Sequence, residues 1–193
     1  VVHLREHRDL AGRQALDHIH LPKGTRPVQR DAGKVPGDLG QLTLAAGRRH
    51  GEPVDVPRTM KMVLVHDVVE IDAGDAFCYD AAANVGKEER ERLAAERIFG
   101  LLPAEQAAEL RELWEEFEAG ESADARFAVA LDRLQPLLRN FHSGGGSWRA
   151  HGITRAQVMR RMDPIRHGAP ALWPQVLDVV ERAVAAGHLR ENA

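Results

Sequence analysis

Residues 62–75 read Met-Val-Leu-Val-His66-Asp67-Val-Val-Glu70-Ile-Asp72-Ala-Gly-Asp75, a histidine and four carboxylates set into one of the most apolar runs of the chain. The apolar positions draw this segment into a core, whereas a charged carboxylate buried without a partner is very costly. The run must therefore pack on one side and meet a compensating charge on the other, and a metal ion is the obvious compensator. The adjacent His66-Asp67 pair offers one nitrogen and one oxygen ligand from neighbouring backbone positions. On a helix, His66 and Glu70 are four residues apart and Asp67 and Glu70 three apart, so all three point roughly to one side.

The 193 residues suit one domain with a sizeable core, and 44% hydrophobic content excludes a disordered composition. A formal net charge of −3 with no Lys/Arg run argues against a nucleic-acid groove. No apolar stretch is long enough for a membrane span, and no signal peptide is apparent. Cys78 is the only cysteine, which rules out an intrachain disulfide and a cysteine-based zinc site. A reduced, cytoplasmic protein is the expectation, with Cys78 a small packing residue rather than a nucleophile.

The chain is uneven. Residues 1–50 hold nine Lys/Arg against five Asp/Glu and half of the ten histidines, and the first 76 residues contain no Phe, Trp or Tyr. Prolines and glycines scattered from Pro22 to Gly40 argue against a regular element there. Residues 1–40 are expected to be an irregular N-terminal segment, with one short helix at 8–18.

Order improves from Gln41, where Leu42–Ala46 suggests a truncated helix. Asp55 followed by Pro57 predicts a helix start, and that helix is expected to run to about Ile71. The β-branched residues Val63, Val65, Val68 and Val69 would also permit a buried strand; the length of the segment and the helical pattern downstream favour helix. Further helices are predicted at 87–101, 103–118, 123–141, 154–162 and 170–186. The fourth of these six places Phe127, Leu131, Leu134, Leu138 and Phe141 at three- and four-residue steps. No alternating strand pattern competes, so the fold class is all-α, a bundle of five or six helices.

A second contributor to the acidic site should come from a distant helix. Asp132, in Ala128-Val-Ala-Leu-Asp132-Arg133-Leu-Gln-Pro136, is the best candidate because it interrupts an otherwise apolar helix. Pro136 cannot donate to the Asp132 carbonyl, so a loosened turn is expected there; Arg133 reads as a surface ion-pair partner. Asp72 and Asp80 read as solvated or capping acids, and residues 87–92 as a solvated, ion-paired helix face. Ser143–Trp148 lacks the Gly-Lys-Ser/Thr ending of a phosphate-binding loop. Trp148 either lies over the site or, the preferred reading, anchors that loop to the core.

Together, Val65-His66-Asp67-Val-Val-Glu70-Ile-Asp-Ala-Gly74-Asp75, the segment from Lys87 to Arg92 and Ala130-Leu-Asp132-Arg-Leu-Gln-Pro-Leu resemble the HD-domain metal-dependent phosphohydrolases, in their 5′-deoxynucleotidase-like branch. The likeness covers roughly residues 41–190, a single HD-type helical domain. It implies His66, Asp67 and Asp132 as metal ligands, Glu70 as the acid that positions or activates the attacking water, and Asp75 as a second acid near the substrate. The implied cofactor is a divalent ion (Mn, Co, Fe, Zn or Mg). The implied substrate is a small phosphomonoester, a (deoxy)nucleoside 5′-monophosphate first of all, with another phosphate ester as the alternative. No nucleic-acid or membrane partner is expected.

The likeness breaks upstream. The family carries another metal-binding histidine in a Glu-His-Ser-Trp-like segment, and register from Gln41 puts that position at Asp38. Either the helix and its ligand are lost, with Asp38, His18, His20 or His50 as replacements, or residues 1–40 are an aberrant, frameshifted reading that rejoins the family near Gln41. A three-ligand site predicts weaker metal binding, an uncovered apolar face predicts a homodimer, and an inactive HD scaffold is the reading from a different class. Sequencing the DNA upstream of codon 41 tests the frameshift: a Glu-His-Ser-Trp-like segment in another frame is expected, and its absence rejects the frameshift.

Overall fold

The computed structural model describes residues 53–191, and among these there is no β-strand, only an isolated parallel bridge between Thr154 and Arg190. The expected helix at 8–18, the stretch at 42–46, and Asp38, His18, His20 and His50 lie outside the described residues. Helix α1 spans Val56–Val65, α2 Glu70–Ala73, α3 Lys87–Phe99, α4 Ala104–Ala119, α5 Ala123–His142, α6 Gly146–His151, α7 Arg155–Gly168 and α8 Trp173–Ala185. Six of these have ten residues or more, matching the expected all-α bundle.

Local chemistry sets the starts of these helices. Asp55 accepts from the Arg58 N–H at 3.0 Å and caps α1, with Pro57 in the first turn where its missing N–H costs nothing. Ser122 caps α5 through the Ala125 N–H, and Thr154 with Gln157 forms a reciprocal capping box on α7. Two expectations about helix ends fail. The helix predicted at 154–162 continues through Pro164 to Gly168, because Ile165 and Gly168 are buried and packing overrides the lost hydrogen bond. The predicted loop at 143–148 contains α6, which carries Trp148. Helix α5 runs uninterrupted through Pro136.

Helix α5 is the central element, packed against α1, α4, α6, α7 and α8. Its inward residues Phe127, Leu131, Leu134 and Leu137 join Val158, Met162 and Ile165 of α7 and Val176 and Val180 of α8 in the largest core cluster. A second cluster ties α1 (Met62) to α4 (Leu113, Phe117) and α5 (Ala125, Ala128). A third sets Val69 against Ala94, Ala95 and Phe99 of α3 and Trp114 of α4. The acidic run is thereby clamped from both sides, by α5 at its start and by α3 at its end. No described helix is long and apolar enough to cross a membrane.

Helices α5 and α7 approach closely at Gly168, where a Cβ would stand 2.1 Å from the Arg126 carbonyl oxygen and 3.1 Å from the Ala130 Cβ. Neither helix backbone can yield there without disturbing the main core. Gly168→Ala is therefore expected to destabilise the fold by about 1–3 kcal/mol, read as a lowered denaturation midpoint; an unchanged midpoint would refute this packing account.

Candidate metal and phosphoester site

Along α1 and the turn that follows, Thr59, Met62 and Val69 are buried and His66 is only 10% exposed at its side chain. These positions repeat at three- and four-residue steps, so His66 occupies a core-facing place on the stripe. The predicted single helix to Ile71 is interrupted here. Residues His66–Val69 form a 3₁₀ turn, in which the Glu70 N–H is shared between the Asp67 and Val68 carbonyls, before α2 resumes. The acidic motif thus sits on a tightened turn, not on regular α-helix. Gly74 then ends α2 with φ +81°, a conformation other residues rarely adopt, and the chain turns so that Asp75 reaches the same cavity.

His66 fixes the chemistry. Its Nδ1 lies 2.8 Å from the Val63 carbonyl, which can only accept, so Nδ1 carries a proton and donates. Its Nε2 lies 2.9 Å from Asp67 Oδ1 and 3.3 Å from Asp132 Oδ1. Two carboxylates do not share a lone pair, so a positive charge belongs at Nε2, as a proton or as a metal ion. With the proton, burial pulls the imidazole pKa down but hydrogen bonds to Asp132 and Asp67 outweigh it and hold the value at about 10. Burial opposes ionisation of Asp132 too, and its hydrogen bond to His66 and the charge of Arg133 more than offset this, leaving its pKa low. The Phe117 ring, 4.2 Å from the imidazole between centroids, keeps water from the other face.

These groups open into a cavity of about 610 Å³ lined by His66, Asp67, Glu70, Asp75 and Asp132. All five residues singled out from the sequence are brought together. Glu70 is partly buried, and its carboxyl pKa is raised by that burial and by the charges of Asp67 and Asp75; Lys87 opposes, with Nζ 3.7 Å away. No three His, Cys, Asp or Glu side chains among the described residues are gathered tightly enough to hold an ion as they stand. His66, Asp67 and Asp132 are instead engaged in hydrogen bonds with one another. The donor chemistry nevertheless fits a divalent cation, one imidazole nitrogen with a fixed tautomer and two carboxylates turned to one point.

Several residues stand elsewhere than the sequence suggested. Arg133 is no surface partner; it is 24% exposed, lines the cavity and donates to Asp132 Oδ2 at 2.6 Å. Cys78, expected to pack, is exposed at the cavity wall, because the loop from Gly74 to Gly86 turns it outward. Residues 87–92 are a solvated face only in part. Arg92 pairs with Glu89, but Lys87 and the buried Glu91 form an inward ion pair at 3.1 Å beside Glu70. Asp72 pairs with Arg97 at the surface, and Asp80 accepts from the Ala82 and Ala83 N–H groups, a turn cap as read. Trp148 is 3% exposed and anchors α6 in the core, with Tyr79 beside it on the cavity wall. Burial pushes the Tyr79 hydroxyl up to about 12. Lys87, Glu91, Tyr79 and Arg161 were missed as lining residues; the i,i+4 spacing of Lys87 and Glu91, with Glu91 on the apolar stripe of Ala94 and Ala95, was the one available signal.

The chain is similar to known proteins. A family model described as HD domain matches residues 39–173. The human protein named 5′-deoxynucleotidase HDDC2 is 39% identical over 114 residues, 59% of this chain and 55% of that protein. The fission-yeast 5′-deoxynucleotidase hdd1 is 30% identical over 110 residues, 53% of this chain and 52% of its own. The chain thus spans about half the length of these relatives. A crystal structure from Magnetospirillum magnetotacticum, described as a predicted metal-dependent phosphohydrolase, superposes with a TM-score of 0.72 at 50% identity, covering 78% of this chain and 76% of that one. With its His-Asp pair and distant Asp132 around one cavity, and a family match over well more than half its length, this chain belongs to the HD-domain family.

Proposed function

We propose that the protein is a metal-dependent phosphohydrolase acting on a phosphomonoester, first of all a (deoxy)nucleoside 5′-monophosphate. The observation that carries this reading is the His66 Nε2 flanked by Asp67 and Asp132, an arrangement that needs a cation, at the edge of a cavity of nucleotide size. The names of the relatives support the substrate class. In this reading His66, Asp67 and Asp132 hold the ion, and one nitrogen with two carboxylates suits Mn, Co, Fe, Zn or Mg. When bound, such an ion supplies charge neutralisation at a phosphoryl oxygen and a water acidified toward neutral pH.

The chain's own groups do the rest. Glu70 orients the attacking water and accepts its proton, a role suited by a carboxyl that burial raises above its ordinary range. Lys87, 3.7 Å from the Glu70 carboxylate, partly offsets the raising effect of burial, Asp67 and Asp75. Asp75, exposed at the cavity, is the second acid facing the substrate. The buried ring of Phe117 and the core behind it exclude water from the far side of His66.

A second reading, an inactive HD scaffold, is favoured by the lack of a ready three-residue cage among the described residues and by Asp38 at the position of the family's upstream histidine. The two separate cleanly. Phosphate release from a panel of nucleoside monophosphates with added Mn or Co is expected, and His66→Ala should lower it about a hundredfold or more, Glu70→Gln about a hundred- to ten-thousandfold. Activity that survives His66→Ala rejects the mechanism; no hydrolysis with any metal favours the scaffold.

A cytoplasmic location accompanies the proposal, consistent with an exposed, unpaired Cys78. So does a homodimer, supported by Met60, Leu64 and Ile71, exposed large side chains along the motif segment. Light scattering should return twice the chain mass, and Leu64→Glu with Ile71→Glu should return the monomer; a monomeric parent contradicts the dimer.

A further inference from the structure

The hydrolytic reading uses the acidic end of the cavity and leaves Arg161, and most of the Arg133 guanidinium, without a task. Arg133 follows Asp132 on α5, and among the described residues only one of its guanidinium nitrogens is hydrogen-bonded, to Asp132 Oδ2. Arg161 reaches the same cavity from α7 and makes no ion pair or side-chain hydrogen bond among the described residues. Neither is fully solvated, and like charges facing one cavity repel. Arg161 also lines a second, adjoining cavity with Cys78 and Tyr79 of the loop at 74–86. Asp132 is already committed to His66 and to Arg133, so it does not neutralise the pair. Glu118 on the cavity wall acts on Arg133 from a distance, but among the described residues no carboxylate pairs with Arg161, so the two guanidinium groups together leave room for an anion.

We infer that Arg133 and Arg161 form a clamp for the terminal phosphate of the substrate, gripping the oxygens turned away from His66, Asp67 and Asp132. The identity of the anion rests on the phosphohydrolase reading; the anion site itself rests on the two arginines. A guanidinium presents its N–H donors as a planar fork that matches phosphate in bidentate fashion. Two such forks from different helices suit a terminal, dianionic phosphomonoester, which has three free oxygens. A diester offers two oxygens and a single charge, so the pair selects monoesters. Both are specificity-determining residues, and neither exchanges a proton in the reaction.

The test uses the full chain freed of metal by chelation and inorganic phosphate as the probe, with binding followed by calorimetry. Phosphate should bind the parent. Arg161→Gln and Arg133→Gln should each weaken it about ten- to hundredfold, the range for a charge-assisted hydrogen bond. Arg161→Lys, which keeps the charge but loses the fork, should fall between. Arg111→Gln, on α4 and outside the cavity, should bind as the parent does. A melting curve for each variant separates loss of the site from loss of the fold, and Arg161→Lys keeps the test open if Arg161→Gln does not fold. In the metal-loaded enzyme Arg161→Gln should raise KM for a nucleoside monophosphate far more than it lowers kcat. Phosphate affinity unchanged in Arg161→Gln, or no phosphate binding by the metal-free parent, overturns the clamp. If hydrolysis depends on His66 while phosphate affinity ignores Arg161, the clamp alone fails. If phosphate obeys the arginines but no ester is cleaved, the hydrolase reading alone fails.

Discussion

The contact between His66 and Asp132 joins two segments 66 residues apart in sequence, and most of the cavity is organised around it. The histidine takes a core-facing place at the end of α1. Its Nδ1 is spent on a backbone carbonyl of the same helix, which leaves Nε2 directed at α5. Asp132 answers from the central helix, with Arg133 supporting its second oxygen. Because α5 is also the helix against which α1, α4, α7 and α8 pack, the geometry of this pair is fixed by the core rather than by loops. A site held on packed helices keeps its groups in place without substrate, which is what electrostatic preorganisation requires.

The cavity is electrically divided. His66, Asp67, Asp132, Glu70 and Asp75 gather carboxylates around one imidazole, a constellation that calls for a cation. Arg133 and Arg161 gather positive charge on the same cavity and call for an anion. A divalent ion with a phosphate ester satisfies both demands at once, because the ester carries its negative charge from one set to the other. Lys87, paired with buried Glu91 and close to Glu70, moderates the acidic side.

What could be read from the chain alone was whatever periodicity and local chemistry encode. The helix start at Asp55 follows from its capping carboxylate and Pro57, and the amphipathic stripe of α5 follows from its three- and four-residue steps. His66, Asp67, Glu70, Asp75 and Asp132 stood out because ionisable groups inside apolar runs need partners. The tightening of the chain at His66–Val69 was hidden, since 3₁₀ and α turns share the same side-chain pattern over four residues. Arg161 and Lys87 were hidden for a different reason. A cation on an amphipathic helix looks solvated until the neighbouring helix is in place, and here α7 against α5 and α3 beside α2 turn those cations inward. The continuation of α7 through Pro164 to Gly168 was not legible, because the compensating burial of Ile165 is tertiary.

The central claim is that the charge missing from the Nε2 of His66 is a metal ion shared with Asp67 and Asp132. Anomalous scattering from crystals of the protein grown with Mn or Co measures it most directly. The account predicts a peak within coordination distance of His66 Nε2 and of an oxygen from each aspartate, lost in Asp132→Asn. A peak that survives Asp132→Asn unchanged, or crystals whose only metal lies away from His66, would contradict it.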